Sequence, residues 1–203
     1  TLLNRHRVDS IDISGGTARG VSGIDEMDGS SFSCKSDAVV IASGGIAGNH
    51  DLVRKHWYRP WGKPPEKMLN GSHPFADGAM HLAAKKAGAS VTHLDKLWNY
   101  AAGVIHPEPT HENHGLSLVP TKSALWMDAY GRRMGPLPLV SGFDTRHLVA
   151  EVCKTEKKYS WQVMNWKIAV KELAVSGSHF NDAIRDKKKI AFIKTALFGN
   201  PGL

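Results

Sequence analysis

Cysteine is nearly missing from this chain: Cys34 and Cys153 are the only two, far apart and outside any CxxC spacing. That excludes a disulfide framework and a thiolate zinc site, and reduced thiols are the simplest expectation. Long apolar runs are missing too. No stretch approaches the roughly 18 consecutive apolar residues of a membrane span, and the opening TLLNRHRVDS has no apolar signal-peptide core. A cytoplasmic protein without a membrane span is therefore expected. Internal repeats and low-complexity segments are also absent. An initiator Met is lacking and the chain opens inside a strand-like pattern, so an internal piece of a longer protein is expected.

What is present is enough apolar material for a sizeable core, 41% of 203 residues, in one large domain or two small ones. The net charge of +7 raises the question of nucleic acid, and its distribution answers it. The densest clusters, Lys154-Lys157-Lys158 and Arg185 to Lys189, carry no nucleic-acid motif and read as a solvated face. No specific nucleic-acid partner is expected. A basic surface still favours anionic ligands, and a dinucleotide is one.

The densest local signal is SDAVVIASGGIAGNHD, residues 36–51. Ala38 to Ala42 is a short uncharged β-branched run without alternation, the pattern of a strand covered on both faces in a parallel sheet. Ser43-Gly44-Gly45 ends it with residues that let a ligand approach the main chain closely. Asn49 is placed to cap a short helix through Trp57. Ligands in open α/β sheets sit beyond the carboxyl ends of strands, so this turn suits the edge of a cofactor. An ordinary strand-to-helix turn is the plain alternative.

Upstream, Arg5 to Ile13 alternates as a half-buried strand, Ser14-Gly15-Gly16-Thr17 makes a turn, and Arg19 to Met27 and Ser31 to Lys35 complete an antiparallel meander. Residues 58–74 contain Pro60, Pro64, Pro65 and Pro74, which points to an irregular excursion packed by Trp57 and Trp61. Ala76-Asp77-Gly78 then opens a helix with Met80, Ala83, Ala84 and Ala87 on one face, ended by Gly88, with Asp77 as its N-cap oxygen. Ser90 to Leu94 reads as a strand. The texture changes at Trp98, and a domain boundary is placed near Leu97. Ser123 to Asp128 is strand-like, with a turn at Tyr130-Gly131. Asp144 caps a helix from Thr145 to about Lys154, with Leu148, Val149 and Val152 inward. Residues 159–175 fit strand or helix, and the Trp161, Met164, Ile168 spacing leans to helix. Lys187 to Phe198 reads as a basic helix.

Four stretches taken together, VVIASGGIAGN, FADGAMHLAAKKAGA, AGVIHPEPT and ALWMDAYGRRM, resemble the fumarate reductase and 3-ketosteroid dehydrogenase superfamily of FAD flavoproteins. The run GPLPLVSGFDTRHLV is similar to its bacterial FAD-binding dehydrogenase branch. The family's amino-terminal GxGxxG and its carboxyl-terminal segment over the flavin have no counterpart here. The fold this resemblance implies is α/β (α+β): residues 1–97 the rear of an FAD-binding Rossmann-like domain carrying a β-meander, residues 98–203 part of a substrate-capping domain. The implied activity is hydride transfer between FAD and an activated C–C bond of a small-molecule substrate. The alternative is a folded fragment or interaction module without flavin.

Residue by residue, the resemblance implies that Val8 meets the adenine and that Ala42, Ser43 and Gly44 lie beside the adenosine of FAD. It also matches Asp77 to an acidic residue of a GDG-like motif. His106, in the HP pair, falls near the substrate, and its imidazole suits hydrogen-bond donation at neutral pH. Thr121 and Lys122 fall where fumarate reductases hold a Thr-Glu pair. Loss of the acid, with Trp98, Tyr100 and Trp126 nearby in the sequence, turns the expectation toward a larger, steroid-like enone, although these aromatics also read as core. Arg146 follows the GRRM turn, as the reductases' proton-donating arginine does; a surface pairing with Asp144 competes with that role. His106, His111 and His114 also read as metal ligands, but no helical pattern fixes their spacing and no cysteine joins them, so no metal is expected. The segment alone is expected not to retain FAD, because contacts at the adenosine end leave the pyrophosphate and isoalloxazine unsupported.

Overall fold

The computed structural model describes residues 1–119, 121–135, 144–172, 174–175, 186 and 188–199. It is a mixed α+β chain with small antiparallel sheets, divided into two compact units. The first comprises residues 1–53 and 75–94, the second residues 54–74 and 95–203.

The first unit is built on the expected meander. Strands β1 (His6–Ser14), β2 (Thr17–Asp25) and β3 (Ser31–Lys35) pair antiparallel in that order. Gly15 and Gly16, both at positive φ, form the two-residue turn whose twist suits a hairpin. Helix α1 (His50–Lys55) begins where Asn49 Oδ1 accepts the Leu52 amide at 3.0 Å. Helix α2 (Ala79–Lys86) packs on β1 and buries Ala84.

The start of α2 corrects one detail. Gly78, at φ 82°, occupies the cap position, and Asp77 acts from one residue earlier, its Oδ1 accepting the Ala79 amide at 2.8 Å. A Cβ on Gly78 would lie 2.9 Å from both Ile46 Cγ2 and Leu52 Cδ1. Glycine is needed there for backbone and for space.

Two expected strands do not form. Residues 38–42 are irregular and pair with no strand among the described residues; Val40 is 89% exposed. A buried parallel strand exists only through its neighbours, and an apolar run cannot supply them. Ser90 to Leu94 is also irregular, because His93 sits at φ 60°, outside the extended region.

In the second unit a 3-10 turn (Arg59–Trp61) interrupts the proline-rich excursion. Strands β4 (Gly103–Ile105) and β5 (Gly115–Val119) form a hairpin joined by β8 (Ala174–Val175), and β6 (Leu125–Asp128) pairs with β7 (Ser160–Val163). Helix α3 (Thr145–Lys154) has the expected bounds, with Asp144 Oδ1 accepting the His147 amide at 2.9 Å. Its Leu148 and Val152 join Ala102, Trp126 and Met134 in the core. Residues 159–175 hold both of the forms considered: strand β7, then helix α4 (Trp166–Glu172). Helix α5 (Lys189–Phe198) starts two residues later than expected; Lys187 lies outside the described residues, as do Pro136, Pro138 and Arg185.

Gly78→Ala should destabilise the first unit by about 2 kcal/mol or more, through left-handed strain and overpacking against Ile46 and Leu52. A shifted midpoint in chemical denaturation checks this; an unchanged midpoint contradicts it.

Candidate functional site

The first unit gathers four of the five candidate cofactor residues around one junction. Gly44, at φ 82°, lies so close to Ala76 that a Cβ would meet the Ala76 Cβ at 3.3 Å. The Gly48 amide donates to the Ala76 carbonyl at 2.9 Å, which docks the 44–48 loop on the residue preceding Asp77. Ala42, Ser43 and Gly44 are exposed. Among the described residues, no backbone N–H or C=O of residues 38–45 is hydrogen-bonded. Val8 stands apart on β1, half-buried, where a register shift separates it from Ser10.

These features fit one edge of a dinucleotide. Exposed, unengaged peptide groups ending in a left-handed glycine are what an adenosine held by main-chain contacts requires. The residues that would hold it are Ala42, Ser43 and Gly44, with Asp77 nearby.

The candidate catalytic residues all lie in the second unit. Among the described residues, no hydrogen bond, ion pair or ring contact joins any two of Thr121, His106 and Arg146. Thr121 is 1% exposed, and its hydroxyl donates to Gln162 Oε1 at 3.5 Å. Arg146 lies at the start of α3, its Cζ 4.5 Å from the centroid of the Tyr58 ring. Trp126 belongs to the core, whereas Trp98 and Tyr100 form an exposed stacked pair with centroids 6.1 Å apart.

His106 is buried at the end of β4, in a column of three imidazoles. Its ring stacks on His114 at 4.0 Å, and His111 stacks on His114 at 4.1 Å. The Glu108 amide donates to His106 Nδ1 at 3.0 Å and the Thr110 amide to His114 Nδ1 at 3.1 Å. A nitrogen that accepts an amide hydrogen carries none itself, so both neutral rings carry their proton on Nε2. That N–H of His106 is buried without an acceptor among the described residues. With its lone pair already engaged at Nδ1, neither ring can ligate a metal without losing an amide bond. No group of three or more His, Cys, Asp or Glu with metal-binding geometry occurs among the described residues.

Burial lowers the pKa of His106 below its usual value. Burial, with the charges that His106 and His111 would bear, takes His114 to about 4. Tyr58 and the role of His114 as a stacking partner escaped the sequence reading. The signal for Tyr58 was the aromatic-proline run around it, taken only as packing.

The lysines of the basic cluster at the end of α3 are engaged: Lys154 with Glu151, Lys157 with Glu156 at 3.4 Å, and Lys158 with the Cys153 carbonyl at 3.0 Å. Both cysteines are free, Cys34 exposed and Cys153 buried. No helix among the described residues is long and apolar enough to cross a membrane.

The class these features define is that of a flavoprotein segment. The family described as FAD binding domain matches residues 1–190, and the chain belongs to it. FAD is the cofactor of that family. A KsdD-like steroid dehydrogenase of Mycobacterium tuberculosis (strain H37Rv) is 37% identical over 213 aligned residues, which cover 98% of this chain and 38% of that protein. A KsdD-like steroid dehydrogenase of Mycolicibacterium smegmatis is 37% identical over 193 residues, 89% of this chain and 35% of that protein. The chain thus spans less than two fifths of the length of these relatives.

The histidine column predicts a pH dependence. With His114 at about 4 against an ordinary 6.5, the unfolded chain takes up a proton that the folded chain refuses. The stabilisation is complete above about pH 6.5 and is lost as pH falls toward 4. Denaturation midpoints should fall between pH 7 and 5, and His114→Phe should flatten that fall; equal slopes would contradict the assignment.

Proposed function

We propose that the chain is the rear of an FAD-binding domain followed by part of a substrate-capping domain, within a dehydrogenase acting on an activated C–C bond of a steroid-like enone. Membership of the FAD-binding family and the names of the two mycobacterial relatives support the cofactor and the substrate class. One geometric observation carries the substrate side: the buried Nε2–H of His106, a fixed donor with no acceptor among the described residues. An unpaired buried donor is costly, and a ligand carbonyl oxygen relieves that cost.

FAD, when bound, supplies the two-electron hydride chemistry. His106 donates its Nε2 hydrogen to the substrate carbonyl oxygen and polarises the conjugated system. It stays neutral at pH 7, because burial holds its pKa low, and so acts as a hydrogen-bond donor without protonating the substrate. Arg146 handles the proton at the substrate carbon. Its free pKa lies far above neutrality, so it serves only within a relay that restores its proton at once. Thr121, with its hydroxyl directed to Gln162, supports the site by bracing strand β7. Val8, Ala42, Ser43 and Gly44 offer main-chain groups to the adenosine, and Asp77 keeps its cap while facing the same edge.

A second reading, a folded segment that acts as an interaction module without flavin, has one observation in its favour: Val40 and Ile41 are exposed in a stretch that pairs with no strand among the described residues. Flavin absorbance separates the two. The 203-residue chain alone should lose added FAD on desalting, whereas a full-length dehydrogenase containing it should be yellow. A full-length protein that takes up no flavin would leave the second reading.

In that full-length enzyme Arg146→Lys keeps the charge and removes the planar fork. Turnover of a steroid enone should fall about 100-fold or more with flavin content unchanged. Unchanged turnover in Arg146→Ala would assign the proton to another group.

A further inference from the structure

We propose that Tyr58 is a positioning residue: its ring is a rigid platform that holds the Arg146 guanidinium by a cation–π contact and leaves the guanidinium N–H groups free for another acceptor. The inference rests on the proton-relay role proposed for Arg146 but is tested apart from it. The contact is direct, with Cζ of Arg146 4.5 Å from the Tyr58 ring centroid. Attraction to a ring face orients a cation without occupying a single N–H, unlike an ion pair. Among the described residues Arg146 makes no ion pair and no side-chain hydrogen bond. Its five donors therefore remain available.

The platform is itself held. Tyr58 precedes the 3-10 turn, where the Trp61 amide donates to the Tyr58 carbonyl at 3.0 Å and Pro60 restricts the backbone. The Tyr58 ring meets Trp61 edge-on at 5.1 Å, and Trp61 meets the buried Trp57 edge-on at 5.7 Å. Arg54 ties down the far side of the excursion through the carbonyls of Pro65 (2.7 Å) and Glu66. A second cation, Lys96, places Nζ 4.4 Å from the same centroid, but it is paired with Asp95 Oδ2 at 2.9 Å. The ring thus carries one neutralised cation and one with its donors unengaged. The proline-rich excursion, on this account, is the support of a functional arginine.

The experiment has two arms. In the chain itself, NMR of the Arg146 side chain should show its δ-methylene protons shifted upfield by the Tyr58 ring current. Tyr58→Phe should keep that shift and Tyr58→Leu should abolish it. Absence of the shift in the wild type, or its survival in Tyr58→Leu, overturns the platform; the wild-type result alone suffices for this if Tyr58→Leu does not fold. In the full-length enzyme Tyr58→Leu should lower kcat about two- to fivefold with KM little changed, while Tyr58→Phe restores kcat. The loss should vanish in an Arg146→Ala background. A loss that persists there overturns the proposal, since Tyr58 would then act by another route. If the ring-current pattern holds while Arg146→Ala leaves turnover untouched, the relay role fails and the platform stands.

Discussion

The hydrogen bond from the Gly48 amide to the Ala76 carbonyl, 2.9 Å long, joins two parts of the first unit that are far apart in sequence. Residues 1–53 carry the meander and the glycine turn, and residues 75–94 carry α2. That bond brings Gly44 against Ala76, sets Asp77 beside the turn, and places Gly78, at positive φ, where a Cβ would crowd Ile46 and Leu52. Once α2 starts there, it packs on β1. The same junction that makes the unit compact therefore gathers the exposed main chain of residues 42–44. Packing and exposure of the main chain are one arrangement, because the glycines that permit close approach of chain segments also expose the peptide groups.

The second unit uses side-chain acceptors to the same end. The turn between β4 and β5 would leave the Glu108 and Thr110 amides unpaired, and imidazole nitrogens take both. Buried Asn70 joins this end of the hairpin, its amide donating to the Asn113 carbonyl and its carbonyl accepting from Gly115. The consequence for chemistry is indirect but firm. Satisfying the backbone decides the tautomer of His106, and the tautomer decides that its buried nitrogen donates.

Local signals were legible in the sequence. The meander, the Asn49 and Asp144 caps and the bounds of α3 depend on turn residues and periodicity within a few positions, so they can be read without knowing what packs where. Residues 38–42 show the opposite case: an apolar β-branched run states that a strand wants cover but not that cover is at hand. His93 shows a third, since one left-handed residue ends an extended run that composition favours. Around the candidate residues, the side-chain engagements were not legible. The pairing of Thr121 with Gln162 spans 41 positions, and the two cations gathered on Tyr58, Lys96 and Arg146, come from two segments distant from it in sequence.

Those engagements separate the three candidate catalytic side chains more sharply than any motif does. Each offers a polar hydrogen, and each is placed differently with respect to it. Thr121 is almost wholly enclosed and directs its hydroxyl to Gln162, so reaching a ligand would mean breaking a contact inside the second unit. His106 is also enclosed, but its Nε2–H meets no acceptor among the described residues, so a ligand oxygen would complete its surroundings. Arg146 is exposed and, among the described residues, held through its π contact alone, so its donors can turn to a ligand without cost to those contacts. A group whose hydrogen bonds are already satisfied stabilises; one that is held in place yet unsatisfied is prepared to bind. By that physical criterion His106 and Arg146 hold donors in place without engaging them among the described residues, whereas Thr121 spends its hydroxyl inside the second unit.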